Sequence, residues 1–568
     1  MDIKINYKIF LLYLICPLAL FSQSSGEGIL IPNPAQLRWQ EYEQTMFICL
    51  DPCTWQGREY DNHSYPLSKI NPVQLNTDQW CRVAKLWGAK LILFVAKHTG
   101  GFCWWQTETS NYGIKETSWK NGKGDVLAEL SKSCQKYGLD LGVYVYPGDE
   151  QWGAGIGSGG KTKDTTKQDA YNQVYRKQLT EILNRYGTIR EIWFDGNCVV
   201  PISDIIAKYA ADAVIFQGKS ATIRWVGNED GFAPYPNWYT LKKIDLKSGG
   251  ATALHSDVSG DAYAPVEVDV PLLKNGGHKW FWASGTDRLL LTLPQLMTIY
   301  YKSVGRGGVL LLNSTPDTTG LIPASHVTVY QQLGEEIKTR FSKPIKKMTG
   351  QGDVLEIEFS KPTKINHVIL QEELTNGQRV LEYVVEGLND GKWEKLSEGS
   401  SIGNKKIDYF TTGEFNKMKV RFLKYKLMPQ IKNFAVYYIR SDVDEKESNE
   451  SAVAIGNWQA DTFTREWQNV KFELTPYMNA IGEYEIYFES LVRDFENKAP
   501  SNLEFSDWKL EMYGREAPES IRMMDGSNGF RITRSQQTLD EFPTILYLKI
   551  RANMARSAGD VVLRRIAY

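Results

Sequence analysis

Cysteine is scarce. The chain has 568 residues and seven cysteines, all before residue 200. One, Cys16, falls in an apolar run at the start. The other six are Cys49, Cys53, Cys81, Cys103, Cys134 and Cys198, and none shows C-x-x-C or comparable spacing. That pattern offers no zinc site. It leaves two alternatives, buried free thiols or one disulfide in an oxidising compartment. An excess of one charge sign is missing too. The net charge is −1, so nothing points to a nucleic-acid or anionic-membrane partner. No apolar run is long enough to span a bilayer. There is no low-complexity tract and no short repeat. No glycine-rich nucleotide loop follows the first strand pattern, which weighs against a dinucleotide-binding sheet.

What is present begins with a leader. Lys4 and Lys8 precede the apolar run Ile9 to Phe21, and Ser22-Gln23-Ser24-Ser25-Gly26 forms a small polar exit. Residues 1–22 therefore read as a secretory signal, and the mature chain is expected to be exported, either periplasmic or secreted. Ile15 before Cys16 is bulkier than a lipoprotein signal prefers. Aromatics are abundant, with 17 Trp and 30 Tyr. Either β-rich cores use them, or some stack on the apolar C–H faces of sugars.

From about 30 to 340, short apolar runs alternate with helical patterns. Expected strands are Met46–Leu50, Lys90–Ala96, Asp140–Tyr146, Ile189–Phe194, Ala213–Phe216, Thr222–Trp225, Trp280–Trp282 and Val309–Leu312. Expected helices are Thr77–Trp87, Asp125–Tyr137, Tyr171–Tyr186 and Pro294–Val304. Gly88 and Gly138 follow helix ends, where a left-handed cap residue is wanted. This alternation predicts a TIM-like (β/α)8 barrel over 23–342, with a doubly wound sheet as the alternative. Residues 343–442 alternate apolar and polar residues in short runs split by turn signals such as Asn389-Asp390-Gly391, an all-β sandwich pattern. Ser441–Ser451 reads as a linker. Residues 443–568 are expected to form a second β-sandwich, with strands at Glu483–Glu489 and Ile545–Arg551.

The chemistry sits at the strands' carboxyl ends, where barrels carry their catalytic groups. Glu191-Ile192-Trp193-Phe194-Asp195-Gly196 ends in one carboxylate. Arg224-Trp225-Val226-Gly227-Asn228-Glu229 brings a second just past the 222–225 strand. Two carboxylates on neighbouring strand ends are what glycoside hydrolysis needs. Around them the pattern gathers Glu59, His98, Trp105, Tyr144 and Trp282. Charged and amide groups that bond hydroxyls, beside indoles that stack on a ring, suit a neutral polyhydroxylated ligand.

The ordered series Lys97-His98…Gly101-Phe102-Cys103-x-Trp105, Trp119-Lys120-Asn121-Gly122-Lys123-Gly124-Asp125, Trp193-Phe194-Asp195-Gly196, Arg224 to Glu229, and Tyr300 to Ile322 resembles the retaining α-L-fucosidases, glycoside hydrolase family 29. The resemblance covers about 40 to 335. It implies that Asp195 is the nucleophile and Glu229 the general acid/base, with Glu267 in reserve. It implies no metal and no cofactor, and a fucosylated oligosaccharide or glycoconjugate as partner, with the Gly-Asn-Glu segment leaning toward α-1,3/1,4 linkages. Phe102, Trp105 or Trp282 would wall the fucose methyl. Two positions depart from the family: Cys49 stands where many members have histidine, and Thr99-Gly100 replaces part of a His-His-Asp-Gly segment. An α-L-galactoside as substrate, or a carbohydrate-binding barrel without turnover, are the alternatives. Residues 343–442 resemble a discoidin-like module, which either binds carbohydrate or braces the barrel.

Overall fold

Helix Thr77–Trp87 shows how local signals build the barrel's outer layer. The Asn76 side chain accepts the Gln79 amide, Asp78 places charge in the first turn, and Gly88 at φ +92° closes the helix. Trp80, Cys81, Val83, Ala84 and Trp87 form its buried side. Helix Val126–Tyr137 repeats the device, with Asp125 as cap and Gly138 at φ +63°. These faces pack on strands that are apolar on both sides.

The computed structural model describes residues 28–246, 256–440, 453–459, 466–478, 482–489, 503–512, 515–524, 528–535, 543–552 and 558–567. The expected leader at 1–22 and the linker Ser441–Ser451 lie outside the described residues. Eight strands form a nearly closed parallel barrel: β1 Gln44–Ile48, β2 Leu91–Lys97, β3 Asp140–Val145, β4 Ile189–Trp193, β5 Val214–Phe216, β6 Arg224–Trp225, β7 Val266–Val270 and β8 Val309–Ser314. Their order is β5-β4-β3-β2-β1-β8-β7-β6, and a single parallel bridge, Phe216 to Ile223, spans the gap between β5 and β6. Among the described residues no α-helix lies between β5 and β7; that stretch holds the 3-10 turn Lys243–Asp245 and a short ribbon, Thr240–Leu241 with Ala262–Tyr263. Helix Pro34–Gln40 bonds there through Gln36 Nε2, which donates to Thr222 O and Tyr263 O.

One expected strand is corrected. Trp280–Trp282 is a loop, and the seventh strand is Val266–Val270. Its sequence, Val-Glu-Val-Asp-Val, carries the reverse of the usual polarity. Glu267 and Asp269 turn into the barrel, where they accept the indole N–H groups of Trp193 at 2.8 Å and Trp225 at 2.6 Å. The six cysteines after the leader are all buried free thiols, which decides against the disulfide.

The rest of the chain is all-β. Residues 346–437 form one hydrogen-bonded six-stranded antiparallel sheet around a core that includes Val368, Met418 and Phe434. Two of its strands, Val354–Glu372 and Lys406–Tyr425, run 19 and 20 residues and shift register along their length. Past 453, a five-stranded and a four-stranded sheet enclose a core that includes Trp458, Phe488 and Phe530. Both parts are bonded to the barrel. Asn404 Nδ2 donates to Gln40 O at 2.8 Å, and the amides of Ser400 and Ser401 donate to Tyr235 Oη. From the terminal sheets, the buried Asp560 accepts from Lys302 at 2.7 Å and Arg306 at 2.6 Å. Burial alone would raise the Asp560 carboxyl; the two cations outweigh it and hold it well below the usual range.

Asp560→Ala leaves two cations facing each other without their counter-ion. The expected cost is about 3–5 kcal/mol, read as a lower urea midpoint of the full chain at neutral pH. An unchanged midpoint would mean that this ion triad contributes nothing net.

Candidate active site

Asp195 follows β4 directly and is exposed. Its φ is +51°, a left-handed conformation that costs a non-glycine residue energy, though aspartate tolerates it better than most. Two contacts hold it there. Tyr144, on the neighbouring β3, donates its hydroxyl to Asp195 Oδ2 at 2.8 Å. Gly196 N–H donates to Gln217 Oε1, and Gln217 is itself left-handed at φ +65°. Burial, and then the Asp195 charge, push the Tyr144 phenol well above its ordinary range, so it stays a donor.

Glu229 lies in the loop after β6 and is 5% exposed. Gly227 at φ +88° turns the chain. Asn228 then fixes the loop, donating to Phe232 O at 2.9 Å and accepting from Asp230 N at 3.1 Å. Glu229 Oε2 faces His278 Nε2 at 2.9 Å and the Trp280 indole N–H at 3.3 Å. The backbone N–H of the same Trp280 donates to Glu59 Oε2 at 2.9 Å, and Lys279 pairs with Glu59 at 3.4 Å. Trp280 thus joins two acids. One ring joins the two halves of the site: Phe47, on β1, lies 5.9 Å from the Tyr144 ring and 5.9 Å from the Trp280 ring.

His98 completes the floor. It lies between Tyr60, Tyr144 and Phe281, with centroids at 6.1, 5.7 and 5.0 Å. Burial lowers it to about 4, with Asp61 opposing, so the ring is neutral at neutral pH. The Thr99-Gly100-Gly101 turn beside it is shaped by two carboxylates. A Cβ on Gly100 would stand 2.3 Å from Asp61 Oδ2, and one on Gly101 would stand 2.7 Å from the Asp149 carboxylate.

Asp51, Cys53 and His98 could in principle hold a metal, since their ligand atoms lie within 4.8 Å of one another. Burial raises both the Asp51 carboxyl and the Cys53 thiol, and Cys53 Sγ already donates to Asp51 Oδ2 at 3.1 Å. Within the trio Asp51 and Cys53 are already hydrogen-bonded, and burial favours their protonated forms, so those two would have to release protons to take a cation.

Three expected site residues stand elsewhere. Glu267 is second in β7, near the barrel end opposite the mouth. It is fully buried and shares the Trp193 indole N–H with Glu191, whose Oε1 lies at 2.9 Å. Burial, then the Glu191 charge, push Glu267 well above the carboxylate range. Trp105 belongs to the layer between strands and helices, its indole N–H donating to Glu181 on helix Gln168–Arg185 at 2.9 Å. Phe102 packs in that same layer against Trp104 and Tyr112. Trp282 is half-buried in the loop that carries Trp280. His278, Lys274 and Gln217 were missed. They lie in loops without periodicity, and their only signal was nearness to the Trp280-Phe281-Trp282 run or to the end of β5.

Comparison with known proteins finds likeness to alpha-L-fucosidases. The alpha-L-fucosidase family model matches residues 38–340. The Arabidopsis thaliana protein alpha-L-fucosidase 1 is 29% identical over 458 residues, covering 72% of this chain and 87% of that one. A Bacteroides thetaiotaomicron protein of known crystal structure is 32% identical with a TM-score of 0.69, covering 72% of this chain and all of that one. A Ruminococcus gnavus family 29 fucosidase in complex with fucose is 25% identical with a TM-score of 0.64, covering 75% and 99%.

His98 makes a prediction of its own. Its folded value near 4 lies below the ordinary 6.5, so the unfolded chain binds the extra proton first. Its contribution is complete above pH 6.5 and is lost as pH falls toward 4, by about 3 kcal/mol. His98→Asn should flatten the slope of stability against pH in that window. An unchanged slope would show that His98 is not held neutral.

Proposed function

The chain belongs to the α-L-fucosidase family of glycoside hydrolases, and on that premise we propose that it cleaves terminal α-L-fucosides by double displacement, with Asp195 as nucleophile and Glu229 as general acid/base. The observation that carries this is the pairing of the two carboxylates through one aromatic wall, Tyr144–Phe47–Trp280. An Asp195 oxygen attacks the anomeric carbon as the glycosidic bond breaks, and Glu229 gives its proton to the departing oxygen. The product is an ester between Asp195 and the sugar. Glu229, now ionised, takes a proton from water. The water oxygen attacks the same carbon, and the Asp195 carboxylate leaves.

Each neighbour has a task in this scheme. Tyr144 orients the nucleophile and stays protonated beside it. His98, neutral and walled by rings, offers a hydrogen bond to a sugar hydroxyl without adding charge. Glu59 and Trp282 complete the rim. The resemblance around Gly227-Asn228-Glu229 favours α-1,3/1,4-linked branches as substrate. The leader-like start favours an exported enzyme, periplasmic or secreted. The sheet of 346–437 acts as a brace, since Asn404, Ser400 and Ser401 bond to the barrel side.

The departures at Cys49 and Thr99-Gly100 keep an α-L-galactoside as the second reading; the Asp61 carboxylate beside Gly100 does not bear on it, being buried and already accepting from Tyr112, Gln56 and His63.

Asp195→Ala should lower release of aryl alcohol from aryl α-L-fucosides by about 10³-fold or more. Glu229→Gln should spare substrates with acidic leaving groups and slow the others. Proton NMR of the first sugar released should show the α anomer. The β anomer appearing first would sink the double-displacement scheme, and faster turnover of the matching galactoside would reassign the glycone.

A further inference from the structure

Glu229 Oε2 is gripped from two sides, and the grip continues outward. It faces both His278 Nε2 and the Trp280 indole N–H. The other ring nitrogen, His278 Nδ1, faces Lys274 Nζ at 3.2 Å. Lys274 is 4% exposed and pairs at 2.8 Å with Asp230 Oδ1, on the residue after Glu229. Asp230 Oδ2 accepts the backbone N–H of Ala558 at 2.9 Å, from the first residue of the last strand, Ala558–Ala567.

An ammonium has three donors and no acceptor. Opposite it, Nδ1 is the acceptor, so the proton of a neutral His278 ring sits on Nε2. Nε2–H then donates to Glu229 Oε2, which also receives the Trp280 N–H. A carboxyl oxygen that accepts two N–H donors is a poor seat for the acid's own proton.

We propose that His278, fixed in one tautomer by Lys274, is a positioning residue that confines the acid proton of Glu229 to Oε1 and makes Oε1 the atom that meets the glycosidic oxygen. The inference rests on the acid/base role given to Glu229 above. In the first half-reaction Oε1 loses its proton to the leaving oxygen. In the second, both N–H donors remain on Oε2 and stabilise the carboxylate while Oε1 accepts the proton of the attacking water. The terminal β-sheets enter the chemistry here, because the Ala558 N–H holds Asp230, which holds Lys274.

The test is the pH profile of kcat/KM on an aryl α-L-fucoside, with the full chain. The charged groups that bear on Glu229 are His278, Lys274 and Asp230 on one side and the Glu59–Lys279 pair across Trp280. His278→Leu removes a donor to the ionised form, so the alkaline limb should move up by about one pH unit. His278→Gln should leave it in place, because the amide accepts from Lys274 and donates to Glu229 without titrating. His278→Phe keeps the ring's edge contact with Trp280 and serves as a second apolar variant, expected to match Leu. An unmoved limb in both apolar variants overturns the proposal, and so does a Gln shift as large as theirs. Azide separates this from the parent scheme. Glu229→Ala should be rescued by azide to a fucosyl azide of retained configuration. No rescue would sink the acid/base role itself; rescue with an unmoved limb would sink the His278 proposal alone.

Discussion

Acids inside a closed parallel barrel must find donors there, because no water reaches them in number. Here the donors are indoles. Trp193 gives its N–H to Glu191 and Glu267, Trp39 gives its own to Glu191 at 2.9 Å, and Trp225 binds Asp269. Trp193 stands two residues before Asp195, and Trp225 four before Glu229. Each strand that leads to one of the two carboxylates proposed to react is therefore pinned from inside to an acid of β7. An indole has one N–H and a rigid plane, so the pin fixes rotation as well as depth. Replacing Glu191 by an apolar residue would take this partner from the Trp39 N–H in the core, whereas after loss of Glu267 the Trp193 N–H still has Glu191.

Much of this was legible in the residues. Helix Thr77–Trp87 was readable to the residue because its cap, its acidic first turn and its closing glycine agree with its buried face. The placement of Asp195 and Glu229 past strand ends was readable because each follows a short apolar strand. The misreadings have physical causes. Val266–Val270 hides as a strand because its inward positions are acidic; Glu267 reads as a reserve acid because its segment resembles the family's. Trp280–Trp282 is as apolar as a strand, yet its rings serve the mouth. Trp105 and Phe102 sit just past β2, where sequence cannot say whether a ring faces the mouth or the helices. His278 and Lys274 act through space on a loop far from them in sequence, so no local pattern could reveal them.

The all-β half of the chain is bound to the barrel by an apolar seam, where Ile369, Ile407, Ala435, Tyr437 and Ile439 join the barrel core, and by polar contacts beside it. Asp560 with Lys302 and Arg306, and Ala558 with Asp230, are specific in direction and tolerate no sliding. Tyr235 contacts both β regions at once: its hydroxyl accepts from Ser400 and Ser401, and its carbonyl accepts from Asn457 at 3.1 Å. Among the described residues no α-helix separates β5 from β7, and loop residues of that stretch, Tyr235, Asn237 and Tyr239, are held by the β-sheets.

The buried thiols carry a consequence for how the enzyme is made. Burial holds Cys49, Cys53, Cys103 and Cys198 above their ordinary range, and Cys81 does the same for Cys134. The thiolate is the form that oxidises and exchanges, so these side chains are chemically quiet once folded. No cross-link among them has to be formed or corrected. Maturation then needs neither an oxidant nor an isomerase, and a shift in ambient redox potential leaves the finished fold unchanged.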